Sequence, residues 1–361
     1  MSSKPHPALL PNGLLDLLPP QAEGEFRTID LFMKEFSAFG YDRVKPPLVE
    51  FEESLLGEGP GSALARQTFR LMDPVSQRMM GVRADVTSQI ARIAGSRLAD
   101  APRPLRLSYA ADVLRVNGTQ LRPERQFCQA GCEMIGVDSV MADAETCLVA
   151  IKALAAAGIE NISIDLTVPT LVRHLYAEWK VAEEDQRILD DLIEKRDRDG
   201  IAAQKGKVAQ TLFSLMEDEG SAERATKRLS ALSLPEKAKA DMDRLLAVAK
   251  ELRGALDVYG LKDVQITIDA LERRGFEYQT GVSFTLFAQG ARGELGRGGR
   301  YDVGAGGKTP ETAKGFTLYM DTILRVAPAF LPSERRNIPA DSGWDAQKSL
   351  QEQGIQAVRK G

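Results

Sequence analysis

The segment RQFCQAGCEMIG, residues 125–136, sets Gln129 and Glu133 four residues apart across Gly131. In a strand all three lie on one face, because side chains alternate with period two. The two α-carbons then stand about 13 to 14 Å apart, so an amide and a carboxylate can grip opposite ends of one small polar ligand. Gly131 leaves room between them. A wet edge strand accounts for the same pattern equally well. The second candidate is ERRGFEYQTGVSF, residues 272–284, where Arg274 precedes a glycine and Glu277, Tyr278 and Thr280 follow in a strand-like run. Arginine offers a fixed fork of donors suited to a carboxylate or phosphate, and tyrosine offers an aromatic wall with a hydroxyl. An ordinary arginine at a surface turn is the competing explanation.

Other chemistries find little support. The glycine-rich GRGGRYDVGAGG, residues 296–307, matches neither G-x-x-x-x-G-K-[ST] nor a strand followed by G-x-G-x-x-G and a helix. It points to close backbone packing around Gly298 and Gly299. The two histidines are His6, in a proline-rich terminal segment, and His174, in a helical pattern, so a histidine base or metal site has almost no candidates. No metal and no cofactor is expected. Three cysteines, at 128, 132 and 147, are too few for a secreted disulfide scaffold and lack neighbouring soft ligands for zinc, which points to reduced cytosolic thiols. With 47 Lys and Arg against 51 Asp and Glu, a formal charge of -4, the chain has no global attraction for nucleic acid or an anionic membrane. Prolines interrupt MSSKPHPALLPNGLLDLL where a signal peptide needs an apolar run, and no stretch approaches 18 apolar residues, so a cytoplasmic protein is expected.

The elements that must position these residues follow from periodicity. At 361 residues and 43% hydrophobic content, the chain can bury a large core with an added unit. Phe26, Ile29, Phe32, Met33 and Phe36 predict a helix that stops at Gly40. YDRVKPPLVEF suits an edge, being broken by Pro46 and Pro47. Residues 67–83 read as two strands around an Asp-Pro turn, and a helix begins near Asp85 or Thr87. Strands at 103–116 and 125–136 flank an arginine-rich loop, followed by a helix over 140–157 and a strand in NISIDLTV. From 176 to 257 the segments are charged, helical and nearly free of strand formers. Strands return at VQITIDA. The expected organisation is a core of 1–175 and 258–330, a helical insertion at 176–257 and a short, weakly packed tail at 331–361.

Taken in order, these segments resemble the catalytic core of class II histidyl-tRNA synthetases over roughly residues 10–325. The resemblance is closer still to their shortened paralogues, the regulatory subunits of ATP phosphoribosyltransferase. RQFCQAGCEMIG resembles the strand after the motif 2 loop, ERRGFEYQTG the histidine signature, and GRGGRYD the start of the third conserved block. The resemblance implies an α+β fold: a class II synthetase-like antiparallel sheet of six or seven strands flanked by helices, with a helical insertion and no anticodon-binding domain. It also implies a histidine pocket. Asp85 and Thr87 of VRADVT stand where the synthetase keeps a Glu-Thr pair near the substrate amino group. Gln129 and Glu133 coincide with polar pocket residues, Arg274 with the arginine near the carboxylate, and Tyr278 with a pocket tyrosine. Gln279 stands where a second tyrosine is usual.

Departures from the synthetase pattern shape the functional expectation. Arg115 remains as a motif 2 remnant, but Asn117 replaces its acidic partner. Asp321 and Thr322 occupy the start of the final helix, where an acid and a nucleotide-holding arginine are usual. Losing that guanidinium removes a charge-assisted bond typically worth about 1.5 to 3 kcal/mol. The resemblance therefore implies no catalytic residues. The expected role is a noncatalytic subunit required for ATP phosphoribosyltransferase activity in the first step of histidine biosynthesis and involved in feedback inhibition by histidine. Such chains dimerise within a hetero-oligomer containing short-form catalytic subunits, with histidine as effector and neither membrane nor tRNA as partner. The alternative is a histidyl-tRNA synthetase-like amino acid ligase lacking the anticodon-binding domain. A third class, an RNA binder, would use Arg122 and Arg125 on phosphate.

Overall fold

The computed structural model describes residues 9–57, 61, 64–216, 220–273, 275, 278–304, 310–331 and 334–360. The chain opens with α1 (Gln21–Ala38), β1 (Asp42–Arg43), β2 (Val49–Phe51), α2 (Glu52–Leu55), the hairpin of β3 (Arg70–Met72) and β4 (Met79–Val82), and α3 (Thr87–Gly95). Two long strands, β5 (Leu105–Leu114) and β6 (Gln126–Ile135), precede α4 (Val140–Ala156), β7 (Ile162–Thr167) and α5 (Thr170–Glu178). The charged stretch folds as α6 (Glu183–Glu194), α7 (Arg198–Ala203), α8 (Lys207–Met216), the two-residue β8 (Gly220–Ser221), α9 (Ala222–Leu229) and α10 (Glu236–Val258). Then come β9 (Gln265–Ile268), β10 (Gln279–Ala288), β11 (Gly296–Val303), β12 (Glu311–Tyr319) and α11 (Met320–Ile323). The last elements are β13 (Arg335–Ile338), α12 (Trp344–Glu352) and β14 (Gln356–Arg359). Among the described residues no helix is long and apolar enough to cross a membrane.

Among the described residues nine strands share one sheet, in the order β1-β5-β6-β12-β11-β10-β7-β9-β8. The six from β5 to β7 are antiparallel to their neighbours throughout. The expected six- or seven-stranded sheet is therefore extended at both ends. β1 joins β5 in parallel, and β9 joins β7 in parallel. Parallel neighbours need a long crossover, and the helices from α5 to α10 are what connects β7 to β9. The charged helical stretch is thus also a sheet connection. The three-stranded sheet β2-β4-β3 lies apart and contains the hairpin predicted around Asp73. The tail, expected only to pack weakly, forms a parallel pair, β13 with β14, joined by α12, which buries no residue.

The strand β6 shows why the sheet is two-sided. Its even positions, Cys128, Ala130, Cys132 and Met134, join the main core with Phe32 and Phe36 of α1 and the apolar residues of α4 and α10. Phe127, on the odd face, joins Val86 and Ile90 beside α3. Ser139 caps α4 by accepting from Ala142 N–H at 3.1 Å. The wet-edge explanation of Gln129 and Glu133 is overturned. β6 lies between β5 and β12, and the two side chains are 0% and 1% exposed.

Candidate functional site

Glu133 is the centre of the odd face. Its Oε2 accepts a hydrogen bond from the Tyr301 hydroxyl at 2.8 Å, and the Thr87 hydroxyl also lies against the carboxyl. Burial pushes its pKa up to about 8, with Asp85 adding to the rise and the two hydroxyls opposing it. At neutral pH the group is therefore protonated and can donate as well as accept. Gly315 faces it across the β6–β12 pair, and a Cβ there would stand 1.7 Å from Glu133 Oε2. Gly131 is held to glycine in the same way, since a Cβ would come within 2.1 Å of the Phe316 carbonyl and 2.6 Å of the Tyr109 hydroxyl. That hydroxyl shares a 2.8 Å hydrogen bond with Thr317 beneath the floor.

Asp85 lies just before Val86, the N-cap of α3, and is held in place by two donors. Thr87 N–H donates to Oδ1 at 2.9 Å and Gln129 Nε2 to Oδ2 at 2.8 Å. Gln129 Oε1 meanwhile accepts from Val86 N–H at 3.1 Å. Both ends of the Gln129 amide are therefore engaged, and the residue is not among those lining the cleft. In this structure it holds Asp85. Arg115 Nη2 lies 3.8 Å from Asp85 Oδ2, while its Nε donates to the Ala84 carbonyl at 3.2 Å.

Asp85, Thr87, Arg115, Glu133 and Tyr278 line one cleft of about 790 Å³. Tyr278 and Tyr301 meet edge to face, with ring centroids 5.8 Å apart. Arg274 lies outside the described residues, as does Glu277. Asn117 and Thr322 also line the cleft. The arginines considered for RNA are engaged internally. Arg122 Nε donates to Asp321 at 2.9 Å, and its guanidinium stacks 3.8 Å above the Tyr319 ring. Arg125 donates to the carbonyls of Asn12 and Arg115. His174 is away from the cleft, its Nδ1 2.6 Å from Asp241 of α10. The cleft residues that sequence reasoning did not select are Tyr301, Gly315 and Thr317, while Gln279, which it named as the departure from a second tyrosine, also lines the cleft. Alternation along β11 offered a signal for Tyr301, since it shares a face with Gly299.

The profile of the histidyl-tRNA synthetase family matches residues 13–323. The ATP phosphoribosyltransferase regulatory subunit of Rhodospirillum centenum is 52% identical over 354 residues, covering 98% of this chain and 89% of that one. That of Paramagnetospirillum magneticum is 50% identical over 340 residues, covering 94% and 87%. The solved ATP phosphoribosyltransferase regulatory subunit/histidyl-tRNA synthetase from Bacillus halodurans C has the same fold, with a TM-score of 0.83 at 23% identity and 99% and 93% coverage. A histidine–tRNA ligase subunit from Alicyclobacillus acidocaldarius gives 0.69 at 26% identity, covering 90% and 98%. The fold is thus the α+β fold of class II synthetase-like proteins. Agreement at half of all positions over nearly the whole length is what common descent of an entire protein leaves, and this chain belongs to the family of ATP phosphoribosyltransferase regulatory subunits.

Proposed function

We propose that the cleft binds free histidine, and that its occupancy regulates a short-form catalytic chain of ATP phosphoribosyltransferase at the first step of histidine biosynthesis. Family membership makes the chain a noncatalytic regulatory subunit. The observation that carries the histidine reading is the presence of Asp85, Thr87, Glu133 and Tyr278, from separate segments, on the wall of one cleft. Asp85 is the anion for the ligand ammonium, with Gln129 holding it. Glu133 and the two tyrosines form a polar, flat-walled end suited to an imidazole. Arg274 is the forked donor for the carboxylate, a role that rests on sequence alone. Three buried cysteines without disulfides support a reducing, cytoplasmic setting.

Regulation requires that histidine bind one assembly state more tightly than another, because equal affinity shifts no equilibrium. The decisive measurement uses the chain co-purified with a short catalytic chain and assayed for phosphoribosyl transfer with and without histidine. Glu133→Ala is expected to assemble and support the activity while weakening histidine inhibition by about ten- to a hundredfold, the range for losing a hydrogen bond to a charged or protonated carboxyl. Inhibition at unchanged histidine concentration would remove this cleft from the account.

The same reading includes a dimer within the hetero-oligomer. Residues 9–18 carry a turn at Asn12–Gly13 and are fixed by Arg125 N–H donating to the Gly13 carbonyl at 2.8 Å. Leu15 and Leu18 on that fixed segment are 70% and 63% exposed, and Leu9 and Leu17 are exposed beside them. Apolar exposure of this extent fits coverage by a second copy. Leu15→Glu with Leu18→Glu is expected to halve the mass seen by light scattering. An unchanged mass would place the dimer contact elsewhere.

A further inference from the structure

We propose that Asp190, on α6 of the charged helical stretch, is a positioning residue for the cleft: it holds Arg273, and through it the loop that carries Tyr278 onto the cleft wall, so ligand affinity depends on where α6 stands. This deepens the histidine reading above and rests on it. The loop runs from Asp269 to Tyr278, between β9 and β10. Both strands pair with β7, one on each side, so the loop must cross over the end of β7. Its start is tied down there. Asp269 N–H donates to the Leu166 carbonyl at 3.0 Å, and the Thr167 hydroxyl donates to the Glu272 carbonyl at 2.8 Å. Gly275 and Tyr278, further on, line the cleft. Just past the loop, the Gln279 carbonyl accepts from Arg173 Nη2 of α5 at 3.2 Å.

Between these ties stands Arg273, next to Arg274 in sequence. Its Nη2 donates to Asp190 Oδ1 at 2.8 Å, and the same oxygen accepts from the Tyr176 hydroxyl of α5 at 2.9 Å. Asp190 is itself held firmly. Leu189 and Ile193, on the same helix, are buried in the main core, as is Tyr176. A second tie comes from the same helical stretch: Arg196, just past α6, reaches both carboxylate oxygens of Asp269 and lies 3.5 Å from Glu272. Burial, and then Asp269 and Glu272, push the nearby Asp165 carboxyl up to about 6, so Arg196 sits where negative charge gathers. A loop without such ties spreads over many conformations, and affinity falls by the fraction that matches the ligand. By linkage, whatever shifts α6 changes ligand affinity, and the ligand biases α6 in return.

The test is calorimetry with histidine on the full chain, alone and assembled with the catalytic chain, in whichever form binds it. Asp190→Ala and Arg273→Ala each remove the pair. Each is expected to weaken binding about three- to fivefold, the upper part of the range for a partly exposed ion pair. The double variant is expected to lose no more than either single one, because Asp190 acts through Arg273. Asp190→Glu, which keeps the charge, is expected to retain most of the affinity. Asp191→Ala, which removes the neighbouring acid paired with Lys195 at 2.7 Å, is expected to change nothing. Should Asp190→Ala fail to fold, Asp190→Asn takes its place, since it keeps an acceptor for Tyr176 and loses the charge. Wild-type affinity in Asp190→Ala overturns the proposal, as do additive losses in the double variant or an equal loss in Asp191→Ala, and each leaves the histidine reading standing. No histidine binding by wild type in either form overturns that reading and this proposal with it.

Discussion

Glu133→Gln is expected to be more stable than wild type at pH 9, with the gap shrinking as the pH falls toward 5. The cause is the cost of ionising a carboxyl that is 1% exposed in the middle of a sheet. Burial raises its folded pKa to about 8, against an ordinary value of 4.5 in the unfolded chain. Between those values the folded state holds a proton that the unfolded state has released, so stability falls as pH rises. Each pH unit in that window removes up to about 1.4 kcal/mol, and the sum is on the order of a few kcal/mol. Above pH 8 both states are ionised and the loss levels off. Glutamine keeps an oxygen for the Tyr301 hydroxyl at the same place and has no proton to lose. Urea denaturation of both chains at pH 5, 7 and 9 measures the effect. A difference that does not vary with pH would mean that Glu133 is already ionised in the folded chain. The site thus keeps a residue that lowers stability at neutral pH, which is the pattern of a group retained for a ligand.

Much of this site was legible in the sequence. The alternation in RQFCQAGCEMIG gave the two faces of β6, and the glycines of GRGGRYD announced the close approach seen at Gly298 and Gly299, where a Cβ would meet Phe284 and Ser283. Whether β6 was central or an edge was not legible, because its neighbour β12 lies some 180 residues on and no local pattern encodes that pairing. The same holds for the partners of single side chains. Glu133 meets Tyr301 across 168 positions, and Arg122 meets Asp321 across 199. Gln129 is instructive in another way. Residue type and facing were read as a ligand contact, but the amide also satisfies Val86 N–H at the start of α3, a demand visible only once helix and strand are brought together. Parallel pairing of β9 was hidden for the converse reason. The helices that make its crossover look from sequence like an independent unit.

Behind the cleft strands, Asp143→Ala is expected to destabilise the chain far more than Lys314→Met, although each removes one partner of the same ion pair. Lys314, on β12, is 1% exposed, and its Nζ lies 2.7 Å from Asp143 Oδ1. Asp143 stands in the first turn of α4, where the helix dipole favours an anion, and accepts two further bonds from Arg244 of α10, at 2.8 and 2.6 Å. Arg244 and Arg300 both reach Asp138. With Lys314 gone, Asp143 keeps its fork and its helix terminus, and methionine fills the space, so the change is small, within about 1 kcal/mol. With Asp143 gone, a buried ammonium faces only the guanidinium groups that already act with burial to lower its pKa. Leaving such a charge unpaired typically costs about 3 to 5 kcal/mol. Lys314 can then escape the penalty only by releasing its proton in the folded state. The unfolded state binds more protons, and the stability of Asp143→Ala therefore rises with pH until unfolded lysine itself titrates near pH 10. Adding Lys314→Met to Asp143→Ala should recover most of the loss. Denaturation midpoints of the two single variants and the double variant at pH 6 and 9 decide it. Equal losses in the single variants would show that Arg244 and the helix terminus do not sustain Asp143 alone, and that α10 is joined to β12 by packing and not by this charge cluster.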